Sequence, residues 1–143
     1  MTRFLEDVKV GEALPTVSYP LTVYRLVMAA GANRDFNPIH HNTDVARRTG
    51  AREMYANTSF LMSAWERCVR DWIGVGGTIH AIRGFRMRSF NSAGETMHVH
   101  AEVAAVREDG VVEVEIRCEN AQGVTVGPGV VEVGLPRREE AHG

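Results

Sequence analysis

Long hydrophobic runs are missing from this 143-residue chain, and with them any segment apolar enough to span a bilayer. Surplus charge is missing too: 16 Lys and Arg against 18 Asp and Glu leave a net charge of −2. That balance offers no general attraction to nucleic acid or to an anionic membrane, so an anionic ligand has to be met by a local cluster. Cysteine is scarce. Cys68 and Cys118 lie far apart and in no CxxC pattern, so both read as reduced core residues and a disulfide is not expected. The opening "MTRFLEDVKVGEAL" has no apolar core of a signal peptide, and a cytoplasmic location is the expectation. Internal repeats and low-complexity linkers are also lacking. The length suits one domain over residues 1–143, with its core in roughly residues 5–135 and a frayed polar end, "PRREEAHG".

What is present changes character half-way. The first half reads mainly helical. After a short strand in "GEALPTVSYPL", Thr22 can cap a helix of "VYRLVMAAG" ending near Gly31. "NTDVARRT" reads as a second short helix, with Asn42 or Thr43 as its cap and Gly50 as its end. The clearest helix is "TSFLMSAWERCVRDWIG", capped by Asn57 or Thr58 and ended by Gly74. Phe60, Leu61, Ala64, Trp65, Cys68, Val69 and Trp72 make one broad apolar stripe on it.

The second half reads extended. "IHAIRGFRMRSF" alternates imperfectly. "TMHVHAEVAAV" and "VVEVEIRCEN" alternate well, and the turn signals "EDG" and "AQG" make neighbouring antiparallel strands the expectation. "VTVGPGVVEVGL" is interrupted by Gly127-Pro128-Gly129, which calls for a bulge or an edge. A long apolar helix followed by antiparallel strands predicts an α+β domain with the sheet curled around the helix. That is the hot-dog arrangement, although periodicity alone does not separate it from other helix-on-sheet folds.

Chemistry concentrates in "DFNPIH", residues 35–40. Pro38 has no N–H and biases Asn37 toward extended backbone, so the first helix cannot run through. Asn37 can bond its own nearby backbone and brace the turn. Asp35 and His40 then sit on either side of one rigid turn, as a carboxylate and an imidazole able to pass a proton near neutral pH. On local chemistry alone, a plain turn followed by two surface histidines, His40 and His41, explains the same residues equally well.

"DFNPIH" resembles the D-x-N-P-[IL]-H signature of the MaoC-like, (R)-specific enoyl-CoA hydratases, which have a hot-dog fold. The short helix "DVARRTG", the start of the long helix and "FRMRSFNSAGETM" are similar to the family as well, so the likeness covers most of residues 5–135. The resemblance implies a hydro-lyase that adds water to a 2-enoyl-CoA, or removes it from a 3-hydroxyacyl-CoA, with no metal or redox cofactor. It implies catalytic roles for Asp35, as the main base, and His40, as the proton donor, with Asn37 as structural support. Where the family has a His-Gly pair opening the long helix, this chain has Asn57 and Thr58. Both are expected to bind substrate, Thr58 through its backbone N–H at the thioester carbonyl. "MYANTSF…RCVRDWIG" is closer to actinobacterial MaoC-like proteins of steroid or other bulky acyl-CoA degradation. Subunits of this fold pair edge to edge, so a homodimer with the cleft near its interface is the expectation. One subunit of a heteromeric hydratase and a dehydratase of carrier-bound or polyketide-like acyl groups are the alternatives.

Arg83, Arg86 and Arg88 form a basic cluster. Arg86 and Arg88 are candidates for the CoA phosphates, against the plainer reading of a solvated strand face. His98 and His100 share one strand face, but with only Glu102 nearby no metal is expected there. "IGVGG" follows a helix instead of a strand, which argues against a dinucleotide loop.

Overall fold

Thr22 opens the first helix: its hydroxyl accepts from the Arg25 N–H at 3.1 Å. The computed structural model describes residues 1–139. In chain order these form β1 (Val17–Pro20), α1 (Val23–Ala32), a 3₁₀ turn (Pro38–His40), α2 (Thr43–Arg48), α3 (Thr58–Ile73), β2 (Thr78–Arg83), β3 (Thr96–Val106), β4 (Val112–Asn120) and β5 (Gly123–Gly134). The strands make one antiparallel sheet in the order β1-β3-β4-β5-β2. It wraps α3 in the hot-dog arrangement.

The core lies between that helix and the concave face of the sheet. Leu61, Ala64, Trp65, Cys68, Val69 and Ile73 of α3 are buried against Met97, Val99, Val103, Val112, Val114, Ile116, Val131 and Val133. Helical period on one side and strand alternation on the other create the two matching apolar faces. Burial pushes the Cys68 thiol up to about 11 and the Cys118 thiol up to about 12, so both stay protonated in the core.

The Gly127-Pro128-Gly129 interruption is a bulge inside an interior strand. On β4 Ile116 pairs Gly129 and Cys118 pairs Val126, so β5 carries one extra residue there. The bulge makes room for Trp65. A Cβ at Gly127 would fall 2.8 Å from the indole, and one at Gly129 2.7 Å from it.

Two expectations need correction. β2 ends at Arg83, because Gly84 turns the chain at φ +69°, and "FRMRSF" runs on as a connection with one isolated bridge, Met87 to Val126. The polar end does not fray at once: Pro136 C=O accepts from the Leu5 N–H at 3.0 Å, and Arg138 pairs with Asp7. That guanidinium holds the Asp7 carboxyl below the usual carboxylate range. Residues 140–143 lie outside the described residues. No helix among those described is long and apolar enough to cross a membrane.

Candidate active site

The way α1 ends decides where Asp35 stands. Sequence reading puts the end at Gly31, but the helix runs to Ala32 and the left-handed residue is Arg34, at φ +53°. The Arg34 N–H bonds Gly31 C=O at 3.1 Å and the Asp35 N–H bonds Ala30 C=O at 2.9 Å. This paired pattern is a Schellman motif with Arg34 in the place usually taken by glycine. Asp35 is the next residue, so its backbone is tied to the last turn of α1.

The turn after it is braced as expected. Asn37 Oδ1 accepts from the Ile39 N–H at 3.2 Å and caps the 3₁₀ turn, with Pro38 at its first position. His40 closes that turn, so two residues five apart in sequence face each other. His40 Nε2 lies 3.2 Å from Asp35 Oδ2. The side chain of His40 is 9% exposed and that of Asp35 35%, which leaves the carboxylate as the more open of the two. The other imidazole nitrogen, Nδ1, is 2.8 Å from the Tyr55 carbonyl oxygen. A carbonyl only accepts, so Nδ1 carries the hydrogen. Nε2 is then the nitrogen that can exchange a proton with Asp35 or with a bound molecule.

α3 begins beside this pair. Asn57 is its cap, accepting from the Phe60 N–H through Oδ1 at 3.0 Å and donating from Nδ2 to Asp35 Oδ2 at 3.3 Å. Asn57 is only 3% exposed, with its amide engaged by the α3 cap on one side and by Asp35 on the other. Thr58 is exposed, and its hydroxyl donates to Met87 Sδ at 3.6 Å. The backbone N–H groups of Thr58 and Ser59, in the first turn of α3, have no acceptor among the described residues. They project from the positive end of a 16-residue helix, next to the acid–base pair.

The three arginines separate. Arg83 is taken up by Glu113 at 3.4 Å and Glu132 at 2.9 Å on the outer face of the sheet. Arg88 donates to the Gly127 carbonyl. Arg86 is exposed with no side-chain partner among the described residues, and with Arg88 it flanks Met87, the residue against Thr58. His98 and His100 bond Ser18 at 2.7 Å and Thr16 at 3.2 Å, on the convex side of the sheet.

Comparison with known proteins agrees with this geometry. The chain is 32% identical over 114 residues to the 3-oxo-4,17-pregnadiene-20-carboxyl-CoA hydratase beta subunit of Mycobacterium tuberculosis, covering 80% of this chain and 87% of that one. The chain belongs to the MaoC-like hydratase family. No family model matches it. Among solved structures, this MaoC-like chain superposes on one from the ChsH1-ChsH2 complex of Mycobacterium tuberculosis with a TM-score of 0.83, at 30% identity, covering 89% of this chain and 98% of the other. The fold is also that of the (R)-hydratase from A. caviae, with a TM-score of 0.82 at 22% identity over 92% of this chain and 99% of that one.

The sequence alone misses Arg34, Tyr55 and Asn33, whose amide N–H donates to Asn57 Oδ1 at 3.5 Å. Tyr55 acts through a backbone carbonyl, which no residue type announces. Arg34 occupies a position where a glycine would have been the signal.

Proposed function

We propose that the protein hydrates a 2-enoyl-CoA thioester to the 3-hydroxyacyl-CoA, and runs the reverse dehydration, with Asp35 and His40 as its acid–base pair. The observation that carries this reading is the 3.2 Å approach of His40 Nε2 to Asp35 Oδ2 beside two unpartnered N–H groups of α3. The Thr58 N–H, with the Ser59 N–H beside it, donates to the thioester carbonyl oxygen. As a water oxygen bonds to the β-carbon, the electron pair of the double bond moves toward the thioester carbonyl oxygen, where the helix end stabilises the charge. The proton leaving the water goes to Asp35, and His40 Nε2 delivers a proton to the α-carbon. Asp35 then passes its proton to His40 Nε2 across the 3.2 Å between them, so one water is added in total, both groups end as they began, and no metal or redox cofactor is required. CoA is the substrate's carrier, and Arg86, with Arg88 close to it, is placed to meet its phosphates.

A bulky acyl group is favoured. α1 leads straight into Asp35 and exposes Val23, Tyr24, Val27 and Met28, with Phe36 and Met62 also exposed. That much exposed apolar surface on a small chain suits a large acyl group, a second subunit, or both. The hydratase relative is named for a steroid-derived acyl-CoA and as a beta subunit, and the ChsH1-ChsH2 structure is of a complex. We therefore favour a second hot-dog chain of different sequence over the homodimer expected from the fold. Solution mass of the chain alone and after co-purification distinguishes the two.

The test is a substrate panel. Crotonyl-CoA, longer enoyl-CoA and steroidal enoyl-CoA esters are mixed with the protein while the conjugated enoyl absorbance is followed. Loss of absorbance with a bulky ester supports the proposal. No turnover of any ester by the folded, assembled protein would sink it.

A further inference from the structure

Three hydrogen bonds meet at Asn57, and together they fix which way its amide points. Oδ1 accepts from the Phe60 N–H at 3.0 Å and from Asn33 Nδ2 at 3.5 Å. Nδ2 therefore faces Asp35 and donates to Oδ2 at 3.3 Å. This is the same oxygen that lies 3.2 Å from His40 Nε2. Turned over, the amide would set two donors against each other at the helix and two acceptors at the carboxylate. A side chain that is 3% exposed has no water to relieve such a mismatch.

Asp35 is held from two sides. Its Oδ1 accepts from the Asn37 N–H at 3.3 Å, inside the braced turn, and its Oδ2 accepts from Asn57, on α3. One donor on each oxygen sets the plane of the carboxylate. The facing groups are His40 from the 3₁₀ turn and the neutral Asn57 from α3, while the Tyr55 carbonyl holds the far side of the imidazole.

We infer that Asn57 is a positioning residue for the hydration reaction. It carries the alignment of the α3 cap to Asp35 Oδ2 and holds that oxygen against His40, without touching the substrate. This rests on the acid–base reading of Asp35 and His40. It gives both halves of the site one frame: the same first turn of α3 offers its N–H groups to the thioester and, through Asn57, aims the base.

Two substitutions separate capping from positioning. Asn57→Asp keeps an oxygen for the Phe60 N–H, since Asp caps about as well as Asn. It replaces the donor to Asp35 with a second carboxylate oxygen. Asn57→Ser also keeps a capping oxygen, adds no charge, and is too short to span to Asp35. In the assembled protein both are expected to retain the wild-type KM, and Asn57→Ser a melting temperature close to wild type, while Asn57→Asp is expected to melt lower because it sets a buried carboxylate against that of Asp35. Both are expected to lose kcat by about tenfold or more, with the roughly 10²–10⁴ that acid–base catalysis is worth as the ceiling. Asn57→Ala loses stability as well as kcat. Wild-type kcat in either capping variant overturns the inference and leaves Asn57 a cap only. A raised KM at unchanged kcat also overturns it, by making Asn57 a substrate contact. Asp35→Asn is measured alongside: if that variant keeps full activity, the acid–base reading itself has failed.

Discussion

The two ends of α3 are built for opposite purposes. The C-terminal end is sealed. Gly74 turns out of the helix at φ +70° and bridges to Thr2, and a Cβ there would fall 2.0 Å from the Met1 carbonyl oxygen. Arg3 closes it further, donating to Trp72 C=O at 3.1 Å with its guanidinium 4.6 Å over the Trp72 ring. A cation at the negative end of a helix is stabilising, and here it also gives the Trp72 carbonyl a partner. The N-terminal end keeps its first N–H groups unpartnered and surrounds them with Asp35, His40 and Asn57. Thr58 and Ser59 are exposed, so their N–H groups are open to water, and this is the end to which the proposed mechanism brings the thioester.

That contrast breaks first at Asp35. Asp35→Asn removes the base but keeps the shape, and kcat is expected to fall about 10²–10⁴-fold. The melting temperature should hold, read by thermal denaturation beside steady-state rates. Thr58→Pro comes next. Proline is tolerated at the first helical position and removes the N–H, and Asn57 before it already has an extended backbone (φ −79°, ψ 161°). A loss of about 10²–10³ in kcat is expected, as for one oxyanion donor, with Thr58→Ala near wild type because it keeps the N–H. Equal activity of the two variants would remove Thr58 from the mechanism.

At the sealed end the signature should reverse. Gly74→Ala meets a positive φ and the Met1 carbonyl, and about 1–3 kcal/mol of stability is expected to go, with kcat per folded molecule unchanged. Urea denaturation and active-site-normalised rates check it. Smallest is Arg34→Gly. A left-handed residue costs less as glycine, so a gain of about 1 kcal/mol or less is expected at unchanged kcat. A loss of activity there would show that the Arg34 side chain does more than turn the chain.

The sequence exposes the two ends of α3 unequally. The apolar stripe from Leu61 to Trp72, the glycine at 74 and the alternation of β3 and β4 are periodic or local signals, and the fold follows from them. Asp35 and His40 stood out because "DFNPIH" resembles the family signature; the braced turn alone fitted a plain turn as well. Asn57 is different. Its type announces a cap, but its second bond goes to Asp35, far away in sequence, and only the docking of α1 on the start of α3 brings them together. For the same reason Arg83 read as part of a basic cluster: its partners, Glu113 and Glu132, come from strands that pair later in the chain. β2 read too long because alternation continues past Gly84, and only its positive φ ends the strand.

The most direct measurement is mass spectrometry of the product formed from a bulky enoyl-CoA in heavy-oxygen water. The account predicts an intact CoA thioester that has gained one water, with the heavy oxygen on the β-carbon, and almost none of it with Asp35→Asn. Free CoA and a carboxylic acid, or equal product from the Asp35→Asn variant, would contradict it.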